Sequence, residues 1–172
     1  MKSLVIYGSR YGNTEKIAYA IAAGLRGAGQ VDIVAIAEAT ALRLHEYDLL
    51  VLGGPTEGHT ATKDLSYYVE EVGDALTGRS VAVFDTRLTW PAWLAGSAAR
   101  TIASKLEKLG ATLVVEPISF MVAGKPPSLE PGELERAEGW AIALASTVSG
   151  ATPLAARSYT ADKGPPQAGP FV

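Results

Sequence analysis

The stretch Ser9-Arg10-Tyr11-Gly12-Asn13-Thr14 brings three hydroxyl side chains, a guanidinium, an amide and a glycine together in one short loop. The apolar run Leu4-Val5-Ile6-Tyr7 precedes it. Ile17, Ile21 and Leu25 follow at four-residue spacing, the stripe of an amphipathic helix. A loop that opens a helix exposes unpaired N–H groups and the positive end of the helix dipole. Hydroxyls and an arginine at that point make a seat for a phosphate.

Spacing excludes several phosphate loops. A P-loop needs four residues between its glycines and then Gly-Lys-Ser/Thr. Here three residues separate Gly8 from Gly12, and Asn13 follows in place of lysine. The dinucleotide fingerprint G-x-G-x-x-G fails at its second glycine, because Gly8-Ser9-Arg10 stands there. A phosphatase loop needs a cysteine nucleophile, and the chain has no cysteine. A phospho-receiver domain needs acids at the ends of strands one and three, where this chain has Tyr7-Gly8 and Leu52-Gly53-Gly54.

The loop Ser9–Thr14 resembles the phosphate loop of the flavodoxin family, roughly T/S-x-T-G-x-T. Ser9, Gly12, Asn13 and Thr14 match, and Tyr11 departs from the commonest form. The resemblance covers nearly all of residues 3 to 149 and implies FMN as cofactor. Ser9, Arg10, Tyr11, Gly12, Asn13 and Thr14 would then hold its phosphate, with Arg10 replacing lost hydroxyl bonding by charge. Pro55-Thr56-Glu57-Gly58-His59-Thr60 resembles the flavodoxin loop beside the reactive ring nitrogen. In that family a peptide of this loop turns over on reduction, and Gly58 would permit the backbone angles required. The stretch Asp85 to Ser97 takes the place of the loop over the other ring face, with Thr86 and Arg87 at its start. Trp90 or Trp93 would stack on the ring, where offset aromatic contact adds about 0.5–1.5 kcal/mol beyond burial. His59 has two readings, a proton donor near the flavin and a solvent-facing loop residue. Arg87 likewise either pairs with the phosphate or pyrimidine or faces water.

With 172 residues the chain is one domain with room for a sizeable core. Apolar residues make up 48% of it and the formal net charge is −3, which argues against nucleic acid as a partner. The lack of cysteine excludes disulfides, iron–sulfur ligation and thiol chemistry, and His45 and His59 are too few for a rich metal site. The N-terminus runs straight into a strand, unlike a signal peptide, and Gly139 to Ala156 is too short for a membrane span. These features lead us to expect no integral membrane segment and a cytoplasmic location.

Strand patterns at 4–7, 31–37, 47–52 and 80–84 alternate with helical ones, and a fifth strand is interrupted around Pro117. Helical faces carry Leu65, Val69, Val72 and Leu76, then Ala99, Ile102, Leu106 and Leu109, then Ala137, Trp140, Ala141, Leu144 and Val148. A short helical turn is expected at Ala41 to Leu44. Such alternation predicts an α/β fold, flavodoxin-like and doubly wound. Its five-stranded parallel sheet runs in the order 2-1-3-4-5 with helices on both faces. Ligand then binds at the carboxyl ends of strands one and three. Gly124 to Gly132 is expected to be a loop, with Lys125-Pro126-Pro127 as loop chemistry. Glu133, Glu135, Arg136 and Glu138 are expected to be the solvated start of the last helix. Residues 1–149 form the domain. Residues 150–172, rich in proline, glycine and alanine, form a tail expected to lie across a surface of its own domain or to join two copies in a homodimer.

For function, the resemblance implies an FMN-binding electron carrier serving a redox partner protein or a small electron acceptor. The alternatives are a flavoenzyme on the same scaffold, an NAD(P)H:quinone reductase or a protoporphyrinogen-oxidase-like dehydrogenase, and a flavin-free binding module.

Overall fold

The computed structural model describes residues 1–39, 42–89 and 96–150. Strand β1 (Lys2–Tyr7) enters the middle of the sheet at once. It pairs in parallel with β2 (Gln30–Ala35) on one side and β3 (Leu49–Glu57) on the other. Beyond β3 come β5 (Ser80–Leu88) and β7 (Ile118–Ala123), again parallel. The long strands therefore stand in the order β2-β1-β3-β5-β7, the doubly wound order expected from the sequence.

Three two-residue strands extend this sheet. β4 (Thr60–Ala61) turns back antiparallel on β3, and β8 (Ser128–Leu129) turns back on β7. β6 (Thr112–Leu113) pairs with the first residues of β5, and β7 takes over the same edge at Phe84. The interruption around Pro117 is thus real, and both pieces belong to one edge.

The continuous apolar runs have a simple cause. Alternate residues of each strand point to opposite faces, and both faces are covered. Leu4, Ile6, Leu50, Leu52, Val81 and Val83 meet α3 (Lys63–Glu71) and α4 (Ala98–Lys108) through Leu65, Val69, Ile102 and Leu106. Val5, Leu49, Val51, Ala82 and Phe84 meet α1 (Asn13–Leu25) and α5 (Glu133–Val148) through Ile17, Ile21, Leu25, Ala141 and Leu144.

Several boundaries differ from expectation. β2 ends at Ala35, because Ile36–Ala39 turns into the short helix α2. α3 ends at Glu71, and Gly73–Leu76 continues as a 3₁₀ turn that still buries Leu76 in the core. Ala41 lies outside the described residues, and the helical turn found nearby spans Leu44–Glu46. The stretch from Gly124 to Gly132 is not all loop, since it contains β8.

The largest correction concerns Glu133, which is buried rather than solvated. Its carboxylate accepts from the Met121 N–H at 2.8 Å and from Arg136 at 2.6 Å. Arg136 also donates to the Ser119 carbonyl and lies 4.6 Å over the Phe120 ring. These side chains occupy backbone groups along the outer edge of β7, where an open strand invites pairing with another chain. No helix among the described residues is long and apolar enough to cross a membrane. Residues 151–172, which carry the expected tail and its homodimer contact, lie outside the described residues.

Candidate functional site

The carboxyl ends of β1, β3, β5 and β7 converge on one rim of the sheet, and each supplies part of a cavity of about 290 Å³. From the loop after β1 come Arg10, Tyr11, Asn13 and Thr14. The end of β3 contributes Pro55, Thr56 and Glu57, and the end of β5 contributes Thr86 and Arg87. The volume is near the lower bound for cofactor pockets.

The first loop is held on three sides. The Gly8 N–H donates to the Gly53 carbonyl at 2.9 Å, tying β1 to β3. Asn13 is buried and donates through Nδ2 to the Pro127 carbonyl at 2.8 Å. The Thr14 hydroxyl is buried against that of Thr86, with the oxygens 2.8 Å apart. The chain enters α1 through Gly12 in the left-handed region, at φ 80°. Ser9 Oγ accepts from the Glu15 N–H at 3.3 Å and so serves the helix start. The N–H groups of Tyr11, Gly12, Asn13 and Thr14 meet no acceptor among the described residues. These are the donors that a helix start offers to an anion.

Charge agrees with that chemistry. Arg10, Arg87 and Lys125 line the cavity against Glu57, the one acid among its described lining residues. Arg10 lies 3.4 Å from Glu57 and 5.5 Å over the ring of Tyr11, which is 59% exposed. The pair crosses from the first loop to the end of β3 and is itself largely exposed.

The second predicted loop is a hairpin. β3 runs on through Glu57 and pairs with β4, with Thr56 opposite Ala61 and Glu57 opposite Thr60. Gly58 and His59 are the two turn residues, at φ 54° and 72°. Positive φ at both central positions marks a turn whose twist matches the strands. Histidine is among the residues that tolerate this region. Neither residue lines the cavity, and His59 is exposed at the tip. The Gly96 backbone packs directly on the His59 carbonyl, where a Cβ on Gly96 would lie 2.1 Å from the oxygen.

Of the predicted site residues, Arg10, Tyr11, Asn13, Thr14, Pro55, Thr56, Glu57, Thr86 and Arg87 come together around one cavity. Ser9 and Gly12 support the loop instead. Ser9 faces a second cavity of about 480 Å³, shared with Thr62, Lys63 and Asp64. Trp90 and Trp93 lie outside the described residues. Sequence reasoning missed Leu88, Val122, Gly124, Lys125 and Pro127, which complete the lining. The signal for the last of these was Lys125-Pro126-Pro127 itself, which is a wall of the cavity as well as a loop. Among the described residues no group of three metal-ligating side chains comes together. Tyr7, below the cavity at the end of β1, has its phenol pushed up to about 12 by burial and by its bond to Glu15.

Several known proteins are similar to this chain. A family model described as a flavodoxin domain matches residues 4–112. A flavodoxin from Clostridium beijerinckii is 26% identical over 129 residues, covering 73% of this chain and 89% of its own. An NAD(P)H dehydrogenase (quinone) from Paraburkholderia phymatum is 33% identical over 112 residues. That match takes in 50% of this chain and spans only 56% of the relative. Among solved structures, oxidised flavodoxin 2 from Bacillus cereus superposes with a TM-score of 0.71 at 27% identity. It covers 85% of this chain and 99% of its own.

Proposed function

Since the chain belongs to the flavodoxin domain family, we propose that its cavity binds FMN and that the protein carries electrons between redox partners. The observation that carries this reading is the start of α1. Its N–H groups at Tyr11 to Thr14, without acceptors among the described residues, open beside a cavity lined by Arg10, Arg87 and Lys125.

The residues present fit the cofactor. Tyr11 to Thr14 would bind the phosphate through backbone N–H groups, and the Thr14 hydroxyl, fixed by Thr86, adds a side-chain donor. Arg10, Arg87 and Lys125 supply charge complementary to a phosphate. Thr56, Leu88 and Val122 offer the mixed polar and apolar wall that suits a flat heteroaromatic ring. Bound FMN supplies transfer of one or two electrons, and the protein sets potential and access. No side chain of the cavity needs to act as nucleophile, so the chain's work is to bind, orient and exclude water. In this reading the protein is cytoplasmic, and its partner is a redox protein or a small electron acceptor. Residues 150–172 serve as an arm toward a second copy, which truncation after Gly150 and sedimentation would test.

The test is reconstitution. Purified protein mixed with FMN should quench flavin fluorescence and elute yellow, and FMN should bind more tightly than riboflavin. It should not oxidise NAD(P)H with a quinone unless a reductase is added. Turnover without a reductase would move the assignment to a quinone reductase, the activity named for the Paraburkholderia relative. No flavin uptake would leave a binding module.

A further inference from the structure

Asp85 is a carboxylate with no exposed surface, and nothing in the phosphate-binding reading uses it. It stands next to Thr86 at the end of β5, on the opposite face of the strand, toward α4. Three donors converge on one of its oxygens. Ser97 Oγ donates to Oδ2 at 2.7 Å, the Ala99 N–H at 2.9 Å and Thr56 Oγ1 at 3.0 Å. Thr56 Oγ1 also accepts from the Ala98 N–H at 2.8 Å. The other oxygen, Oδ1, has no hydrogen-bond partner among the described residues.

Two consequences follow from this geometry. The first is mechanical. Thr56 is where β3 enters the hairpin, Ser97 caps α4, and Asp85 joins both to β5. In sequence, Asp85 precedes and Ser97 follows the stretch that carries Trp90 and Trp93. One oxygen therefore ties the root of the hairpin at Thr56 to the start of α4 at Ser97 and Ala99. The second is electrostatic. Oδ2 is compensated by its donors and by the start of α4, where acids are favoured. Oδ1 is not compensated, and Thr56, which Asp85 holds, lines the cavity. A buried charge beside a cavity acts at low effective dielectric and is poorly screened.

On the reading that the cavity holds FMN, we propose that Asp85 is a positioning residue that ties the root of the hairpin to the start of α4 and lowers the reduction potential of the bound flavin. Two electrons and one proton taken up by FMN leave one added negative charge. A fixed negative charge nearby disfavours that uptake.

The experiment is a potentiometric titration of the FMN-loaded protein with dithionite and redox mediators, in wild type, Asp85→Asn and Ser97→Ala. Asparagine keeps the shape and can still accept from all three donors. It should favour reduced over oxidised FMN by roughly tenfold, about 30 mV upward for a two-electron couple. Ser97→Ala removes a donor and leaves the charge less compensated, so the potential should fall. Ser97→Thr should restore it. A purely structural disturbance would not move the potential in opposite directions. An unchanged potential in Asp85→Asn, or a Ser97→Ala potential that rises or stays put, overturns the proposal. Should Asp85→Asn fail to fold, the Ser97→Ala and Ser97→Thr pair decides. Without flavin, Thr56→Val and Ser97→Ala should each lower the melting temperature, with less than additive loss when combined, because both act on one oxygen. Additive loss overturns the shared anchor. Wild-type protein that takes up no FMN sinks the functional reading and this proposal together, whereas FMN binding with an unmoved Asp85→Asn potential sinks only this one.

Discussion

Thr14→Val separates the roles of one hydroxyl. Valine keeps the branched shape of threonine and removes only the oxygen. In the folded chain Thr14 is 1% exposed and Thr86 3% exposed, and their hydroxyls bond only to each other, at 2.8 Å. Without its partner the Thr86 hydroxyl stays buried and unsatisfied, which costs about 1–3 kcal/mol of stability. For a chain of this size that lowers the melting temperature of the flavin-free protein by about 2–4 °C per kcal/mol. With FMN a second loss is added. A hydrogen bond to a charged phosphate contributes about 1.5–3 kcal/mol, so FMN affinity should fall by roughly 10- to 150-fold. Riboflavin has no phosphate, and its affinity should change by less than about threefold. The assay is quenching of flavin fluorescence with both ligands at one salt concentration, alongside thermal unfolding of the free protein. Equal losses for FMN and riboflavin would refute the phosphate contact and leave Thr14 as a pillar of the loop only.

The two glycines around the hairpin should behave differently on change to alanine. Gly58→Ala meets open space at φ 54°, so it should cost about 1 kcal/mol of stability and alter the spacing of the two one-electron potentials more than FMN affinity. Gly96→Ala drives a Cβ against the His59 carbonyl and should cost about 3 kcal/mol or more in chemical denaturation, or displace the hairpin. Glu57→Gln removes the anion paired with Arg10, so FMN should bind roughly two- to fivefold tighter at low salt, an advantage that vanishes near 1 M salt. Tyr68 carries a buried hydroxyl without a partner among the described residues, and burial, helped by Glu71, pushes its phenol up to about 12. The folded chain thus keeps that proton to higher pH than the unfolded chain, whose tyrosines titrate near 10. This part of the stability is intact below about pH 10 and drains away as pH rises toward 12. Tyr68→Phe should therefore be neutral or stabilising by about 1 kcal/mol at pH 7 and should unfold later than wild type in an alkaline titration.

The functional residues divide by how they reach the site. Those of the first loop are local: Asn13 and Thr14 sit at a helix start whose position the apolar spacing of Ile17, Ile21 and Leu25 already fixes. Thr86 has no such pattern around it. Its partner is Thr14, far away in sequence, and the hydroxyls come to 2.8 Å only because the first turn of α1 sits over the carboxyl end of β5, two strands from β1. Lys125 and Pro127 are more distant still, and Pro127 reaches the first loop through its backbone carbonyl, an atom whose residue type carries no signal. Glu133 was misread for a related reason. An acid in the first turn of a helix normally faces water, but here the outer edge of β7 offers the Met121 N–H, and that donor draws the carboxylate in.

By itself, the sequence determined the order of the main elements, the doubly wound class and the place of the helix-opening loop after β1. Each of these rests on short-range periodicity, on steric limits and on the handedness that governs parallel connections. It also singled out part of the lining at the carboxyl end of the sheet, at Arg10, Tyr11, Asn13, Thr14, Thr56, Glu57, Thr86 and Arg87. Only the tertiary structure decided the hairpin at Gly58 and His59, the hydroxyl pair of Thr14 and Thr86, and the burial of Asp85 under three donors. The hairpin is local, whereas the hydroxyl pair and the donors around Asp85 join residues far apart in the chain. Their energies depend on distances of a few ångströms between separate elements, which come into being only when the sheet and its two helical layers close on one another.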